Sequence, residues 1–170
     1  MLLEFLSVSR SQLHQRSLHI EGCLAKLSDE QIWLREHEVE NAVGNLVLHL
    51  CGNVTEWICG GVGGQTVTRD RDAEFGRRDP VPRDDLVEAL RETVKRADGI
   101  LAKVSPADCR GHCTVQGYGV TVLYAIYHVV EHFSEHTGQI IFHTKRMTGQ
   151  DLGFNWFVGD RQQLLAGKDS

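Results

Sequence analysis

Apolar side chains recur at helical spacing along four long stretches of the chain. The stretches run from about Leu2 to Leu27, Val39 to Cys59, Pro82 to Val104 and Val120 to Lys145. Repetition every three or four residues predicts amphipathic α-helices, each burying one face. Prolines occur only within positions 80–106, so long stretches on either side are free to be helical.

The segments between these helices differ in character. The glycine-rich run from Gly60 to Gly64 predicts the end of the second helix. The segment from Arg69 to Asp79 mixes both charges without apolar periodicity, and we interpret it as a solvated loop rather than a functional charged patch. Thr114 to Gly119 is too rich in glycine for a helix and predicts a short extended piece. The aromatic residues within Phe154 to Asp160 are expected to pack against the helices.

Four long helices without a convincing set of strands predict an all-α protein, a four-helix bundle. A chain of 170 residues suggests a single domain, residues 1–170. The connection between the second and third helices is long for a bundle, which allows a crossover from one end to the other.

Composition limits which kinds of partner the protein is expected to have and in which cellular compartment we expect it. The formal net charge of −5 argues against nucleic acid as the main partner. No apolar run reaches the length that crosses a bilayer, and MLLEFLSVSR lacks the basic region and cleavage site of a signal peptide. The five cysteines are irregularly spaced, which favours reduced thiols and a cytoplasmic protein.

The fourth predicted helix contains YHVVEHFSEHTGQI, in which three histidines follow one another at intervals of four residues. These are His128, His132 and His136. On a helix, His132 and His136 point the same way one turn apart, the spacing at which two imidazoles reach one metal ion. His49 lies among leucines on or beside the apolar face of the second helix. If these two helices pack together, His49, His132 and His136 converge.

Three neutral imidazoles with an open coordination position suit Zn²⁺, with Ni²⁺ or Fe²⁺ as alternatives. The competing interpretation is that the histidines only hydrogen-bond within the core, because a buried imidazole needs a polar partner in any case. Glu56 and Asn53 follow His49 on nearly the same helix face. Either side chain is a candidate to contact a metal ligand without binding the metal itself, although Glu56 also fits an exposed residue at a helix end.

Other metal-binding and catalytic patterns fit less well. HFSEH matches the H-x-x-E-H string of a peptidase class, with Glu135 as the base, but only 34 residues follow His136 to supply a third ligand. A di-iron bundle needs E-x-x-H on two helices, and neither Glu131 nor any other glutamate completes that pattern. Cys109 and Cys113 form a C-x-x-x-C without a second cysteine pair, so we interpret them as free thiols in a loop.

Two segments together resemble a known family. NAVGNLVLHLCGNVTEWI, with its L-x-H-L, and HVVEHFSEHTGQI, with its H-x-x-x-H-x-G-Q, are similar to the DinB-like superfamily of damage-inducible, metal-dependent proteins. The resemblance implies a four-helix bundle in up-down-down-up order, with the long loop as its crossover. It also implies His49, His132 and His136 as metal ligands, with His128 accessory, and a homodimer.

The resemblance implies function only broadly. Relatives include S-transferases that depend on mycothiol or bacillithiol, and a mycothiol-dependent isomerase. For this chain we expect a divalent metal ion that activates a low-molecular-weight thiol toward a small-molecule substrate. Zn²⁺ is the preferred candidate for the ion. The alternatives are a metal-dependent hydrolase that activates water and a bundle that binds metal without catalysis, since one fold hosts many functions.

Overall fold

A computed structural model describes residues 1–154, and most of them are helical, as predicted. The helices are α1 (Leu2–Leu24), α2 (Asp29–Ile32), α3 (Val43–Val54), α4 (Arg71–Gly76), α5 (Arg83–Leu101) and α6 (Val122–Thr148). A π-helical segment, Thr55–Val62, continues α3, and a 3₁₀ turn occupies Asp108–Arg110. The four predicted long helices therefore correspond to α1, α3 with its π-helical segment, α5 and α6.

Local sequence signals set the ends of these helices. α5 begins directly after Pro82 and carries Asp84 and Asp85 in its first turn, where negative charge suits the helix dipole. α6 begins after Thr121, whose side chain accepts a hydrogen bond from the backbone N–H of Tyr124 at 3.1 Å. It ends at Gly149, which has the left-handed φ of 65° that favours glycine at this position.

The glycine-rich segment before α6, for which the sequence predicts a short extended piece, forms a β-hairpin of two strands. Strands β1 (His112–Val115) and β2 (Tyr118–Thr121) are antiparallel, and Val115 lies opposite Tyr118. The two turn residues, Gln116 and Gly117, both have positive φ, the backbone of a tight two-residue hairpin. The strands are four residues each, too short for alternation to be recognised, and β2 takes two residues that we had assigned to the fourth helix.

Two glycines of the π-helical segment allow neighbouring side chains to pack directly against its backbone. A Cβ atom on Gly61 would lie 2.5 Å from Cγ2 of Val115 in the hairpin, and one on Gly60 would lie 2.7 Å from Cγ2 of Val67. The helix continues through this run and ends before Gly64, which has a φ of 65°. The glycine run thus ends the helix as predicted, but a few residues later than Cys59.

The long helices pack around a common core. α1 contacts α5 and α6, α3 contacts the same two helices, and α4 lies on α3. The largest fully buried side chains come from all four long helices and α2, and include Ile20, Leu24, Ile32, Leu46, Leu50, Leu86, Leu90, Ile126, Phe133 and Ile140. The contact between α3 and α6 is called the α3–α6 seam, and that between α1 and α5 the α1–α5 seam.

Paired side chains give the relative direction of α3 and α6. On the α3–α6 seam, His49 meets His132 and His136, whereas the later Trp57 meets the earlier His128 and Tyr124. α3 and α6 therefore run antiparallel.

The end of the described chain returns to α1. The Phe154 ring stacks on His19 at 4.6 Å between centroids, in line with the expected packing of the C-terminal aromatic residues. The rest of that aromatic segment, residues 155–160, lies outside the described residues. Within residues 1–154, no helix combines the length and apolar character needed to cross a bilayer.

Candidate metal centre

His49 lies in the middle of α3 and is almost completely buried. Its neighbours Leu46 and Leu50 belong to the core, which fixes the rotation of the helix and turns His49 toward α6. A buried imidazole must be matched by polar partners, so the groups around it indicate its role.

The structure brings His49 together with the two predicted histidines of α6. Nε2 of His49 is 2.9 Å from Nε2 of His132, and the His49 and His136 rings are 5.1 Å apart between centroids. His132 and His136 lie one helical turn apart, with ring centroids separated by 4.4 Å. One nitrogen from each of the three rings lies within 4.8 Å of the others, so one ion can be shared. Their role as metal ligands stays a prediction.

The Nδ1 atoms of the three rings point toward oxygen atoms. Nδ1 of His49 is 2.9 Å from Oε2 of Glu74, and Nδ1 of His136 is 2.7 Å from Oε1 of Gln139. Nδ1 of His132 is 4.0 Å from Oε2 of Glu135. An Nδ1–H that donates to oxygen leaves Nε2 with a free lone pair, the tautomer in which histidine binds metal ions.

The surroundings of His132 and His136 keep these two imidazoles neutral. Burial, reinforced by the neighbouring histidines and Arg69, lowers the pKa of His132 to about 3. Burial also lowers the pKa of His136, although the hydrogen bond to Gln139 opposes that change. Neutral imidazoles at physiological pH leave the lone pairs available to a cation.

The donor set fits a divalent metal ion. Nε2 of His49 and Nε2 of His132 lie at hydrogen-bonding distance, so a cation coordinated by both nitrogens would replace the hydrogen bond between them. Zinc–imidazole bonds are about 2.0–2.1 Å long, and a three-histidine set with an open position is a known catalytic zinc arrangement.

The prediction of a solvated loop from Arg69 to Asp79 was wrong for two side chains. Those of Arg69 and Glu74 are only 7% and 11% exposed. Arg69 donates to both oxygens of Glu74, from Nε and from a terminal nitrogen, each at 2.8 Å. Periodicity along one helix could not indicate Glu74, because its contact with His49 joins a short helix to a residue 25 positions earlier. Asp70, whose side chain caps α4 by accepting from the backbone N–H of Ala73, was the available local signal.

Glu56 and Asn53 have different surroundings. Glu56 is not an exposed helix-end residue: its Oε2 accepts from Arg69 and from Nε2 of Gln116, each at 2.8 Å. Glu56 therefore reaches His49 through Arg69, whose other terminal nitrogen lies 3.1 Å from Nδ1 of His49. Asn53 is buried, and within residues 1–154 its Oδ1 has no hydrogen-bond partner. The contacts thus do not join Asn53 to His49.

His128 lies beside the three-histidine cluster rather than in it. Its ring stacks on His132 at 5.5 Å and lies 4.2 Å from the Trp57 ring, between centroids. Tyr124 lies one turn before His128 in α6 and is half exposed. These rings form an aromatic surface that continues the α3–α6 seam away from the cluster.

The other candidate patterns do not form comparable sites. Glu135, the base of the peptidase interpretation, is 69% exposed and lies to the side of His132. Cys109 and Cys113 are free thiols, and burial raises the pKa of both, which disfavours the thiolate that binds metal. Glu36, His37 and Glu40 come together in a loop, but they are largely exposed, and Glu36 pairs with Arg146.

Comparison with known proteins shows a matching family and two similar solved structures. Residues 2–157 match the family model described as "Protein of unknown function (DUF1572)". No curated protein matches. A conserved protein from Enterococcus faecalis is similar in structure with a TM-score of 0.72 and 13% identity, covering 85% of this chain and 97% of that one. A DinB-like protein from Bacillus cereus is similar with a TM-score of 0.63 and 15% identity, covering 84% and 92%.

The match to the family model spans nearly the whole described chain, and the two solved structures share its fold. The resemblance drawn from the two histidine-bearing segments is confirmed. The chain belongs to the DUF1572 family, which is a DinB-like family.

Proposed function

We propose that this protein is a metal-dependent enzyme that binds one divalent ion through His49, His132 and His136. Zn²⁺ is the preferred candidate for that ion. The convergence of three imidazoles from two antiparallel helices carries the proposal, and burial lowers the pKa of two of them, His132 and His136. Nickel and iron remain alternatives because imidazole ligands suit them as well.

The metal ion supplies a positive charge that lowers the pKa of a coordinated thiol or water, so that it is deprotonated near neutral pH. The chain's own groups prepare that position. Glu74 and Gln139 accept hydrogen bonds from the outer nitrogens of His49 and His136, which orients these rings. The packed leucines around His49 keep bulk water from its side of the cluster.

We propose S-transfer from a low-molecular-weight thiol to a small electrophile as the reaction. Kinship with DinB-like proteins favours thiol chemistry, and the aromatic surface of Trp57, His128 and Tyr124 offers apolar contact for a small organic substrate beside the cluster. The up-down-down-up order belongs to the same proposal and is supported by the antiparallel direction of α3 and α6. The proposal also includes a homodimer, a cytoplasmic location and a single domain over residues 1–170.

The test is a turnover screen of metal-loaded protein. Bacillithiol, mycothiol and glutathione are each offered with alkylating electrophiles, and ester and amide substrates are assayed in parallel. We expect metal-dependent consumption of one thiol, lost in His136→Ala. Ester or amide cleavage without thiol consumption would replace S-transfer by hydrolysis, and no turnover in a metal-loaded protein would favour a binding role.

A further inference from the structure

The connection between α3 and α5 lies back over α3 at the level of His49. Asn45, one turn before His49, donates from Nδ2 to the backbone carbonyls of Glu74 at 2.8 Å and Arg77 at 3.2 Å. The Phe75 ring also packs on the His49 ring at 4.3 Å between centroids. The short helix α4 is therefore held in place by side chains of α3, and the position of Glu74 is fixed.

The carboxylate of Glu74 is shared between His49 and Arg69. Its Oε2 lies 2.9 Å from Nδ1 of His49, while Arg69 donates to both of its oxygens. The planar guanidinium matches a carboxylate with two parallel hydrogen bonds, which fixes the direction of the carboxylate as well as its distance. Arg69 is in turn held by Glu56, which it contacts at 2.8 Å.

A glycine on α3 makes room for this carboxylate. A Cβ atom on Gly52 would lie 1.9 Å from Oε1 of Glu74 and 2.8 Å from Nε of Arg69. Glycine inside a helix is less favourable than alanine by about 1 kcal/mol, so its presence here needs a reason. Gly99 in α5 is a contrast, because nothing lies within 4 Å of a Cβ placed there.

We infer that Glu74, aligned by Arg69 and seated in the space left by Gly52, is a positioning residue that holds His49 for metal binding. By accepting a hydrogen bond from Nδ1–H of His49, Glu74 favours the tautomer in which Nε2, the nitrogen on the side of His132, is unprotonated and can bind a metal ion. The carboxylate comes from the connection between helices, so a segment outside the α3–α6 seam orients a ligand of the proposed metal site. The inference rests on the proposed function, since it concerns the binding of that metal.

The first test compares Glu74→Ala, Glu74→Gln and the control Asp72→Ala. Asp72 is an exposed acidic residue of the same helix, so the control removes the same charge. Zn²⁺ affinity is measured by competition with an indicator dye, and ligand geometry by the visible spectrum of the Co²⁺ form. We expect Glu74→Ala to weaken affinity about 10–100-fold, as for other carboxylates behind histidine ligands. Glu74→Gln should recover part of the loss because its amide oxygen still accepts from Nδ1–H, and Asp72→Ala should match the wild type.

The second test separates positioning from folding. Gly52→Ala should displace the Glu74 carboxylate and weaken Zn²⁺ binding, while far-UV circular dichroism shows the helices intact. Gly99→Ala makes the same change in a helix with open space and should leave the affinity unchanged. If Glu74→Ala fails to fold, this pair still decides the question.

The outcomes distinguish this inference from the function on which it rests. Wild-type affinity and an unchanged Co²⁺ spectrum in Gly52→Ala and in folded Glu74→Ala would overturn the positioning role while leaving the metal site standing. A wild-type protein that binds neither Zn²⁺ nor Co²⁺ would overturn both. Weaker binding in both variants, with both controls at wild-type affinity, supports the inference.

Discussion

Two sets of ion pairs link separate elements of this molecule, and their surroundings differ. The site network consists of Arg69, Glu74 and Glu56, whose side chains are 7%, 11% and 21% exposed. The surface pairs consist of Arg10 with Asp98 and Arg91 with Glu21, which bridge α1 and α5. Arg10 and Asp98 are 39% and 47% exposed, although their contact is as short as those in the site network.

The comparison teaches that contact distance alone does not indicate what an ion pair does. An exposed pair exchanges its contact for hydration at little net gain. A buried charge that loses its partner cannot recover that hydration. The site network therefore fixes its side chains strongly, which suits a group that orients a metal ligand, whereas the surface pairs add little to a seam already held by apolar packing.

The largest expected effect is on stability when one partner of the site network is removed. Arg69→Ala leaves the buried carboxylates of Glu74 and Glu56 without their cation, and it should reduce the free energy of unfolding by about 3–5 kcal/mol. Arg10→Ala should cost about 1 kcal/mol or less. Urea denaturation of the two variants measures the difference. Equal losses in the two variants would remove the distinction between the networks.

A smaller effect is expected from metal binding, which should stabilise the protein through the α3–α6 seam only. At a free Zn²⁺ concentration 100 times the dissociation constant, the gain in free energy of unfolding is about 2.7 kcal/mol. Thermal unfolding with and without a chelator measures it. The gain should persist in Arg10→Ala and vanish in His49→Ala, and a gain retained in His49→Ala would assign the metal to another place.

Acid should destabilise the metal-free protein through the histidine cluster. Burial lowers the pKa of His132 from 6.5 to about 3, so between these values the unfolded chain takes up a proton that the folded protein does not. Stability from this group is complete above pH 6.5 and falls as the pH drops below it, by up to about 1.4 kcal/mol per pH unit for one proton.

The pH effect is measured by denaturation of wild type and His132→Gln. Working above about pH 5 keeps Glu74 ionised, since its pKa lies below the ordinary value: burial would raise it, but the hydrogen bonds to Arg69 and His49 outweigh that effect. The variant should show a smaller slope than wild type. Identical slopes would mean that His132 does not titrate as its burial requires.

The smallest expected effect concerns salt. Raising the ionic strength screens the exposed Arg10–Asp98 pair, because the screening length falls from about 10 Å at 0.1 M to about 3 Å at 1 M. The small destabilisation of Asp98→Ala should therefore shrink further at high salt. The cost of Arg69→Ala should change far less because that pair is shielded from the solvent ions. Equal salt sensitivity would contradict the difference in burial.

Residue patterns predicted the long helices and the three histidines, because both depend on spacing along one helix or on the apolar neighbours of one residue. Leu46 and Leu50 turn His49 inward, and a four-residue interval aligns His132 with His136. The Glu74–Arg69 contacts could not be predicted in this way, since they join residues whose local sequences are polar and lack periodicity. Asp70 signals the start of α4, and Gly52, in the interior of a helix three residues after His49, is the local sign that another group approaches α3 there.

The sequence predicts an extended piece before α6, but the pairing of two strands there and the π-helical segment escaped prediction for a related reason. Strands of four residues are too short for alternation to be seen, and their pairing is fixed by the turn at Gln116 and Gly117. The run from Gly60 to Gly64 indicates a helix end in isolation. Packing of Val67 and Val115 onto Gly60 and Gly61 favours a helix that continues further.

Calorimetric titration of metal-free protein with Zn²⁺ tests the central claim most directly, with His132→Ala and Arg10→Ala alongside. The account predicts one Zn²⁺ bound per chain in wild type and in Arg10→Ala, and loss of that binding in His132→Ala. Absence of binding in the wild type, or equal binding in His132→Ala, would contradict a metal site at the α3–α6 seam.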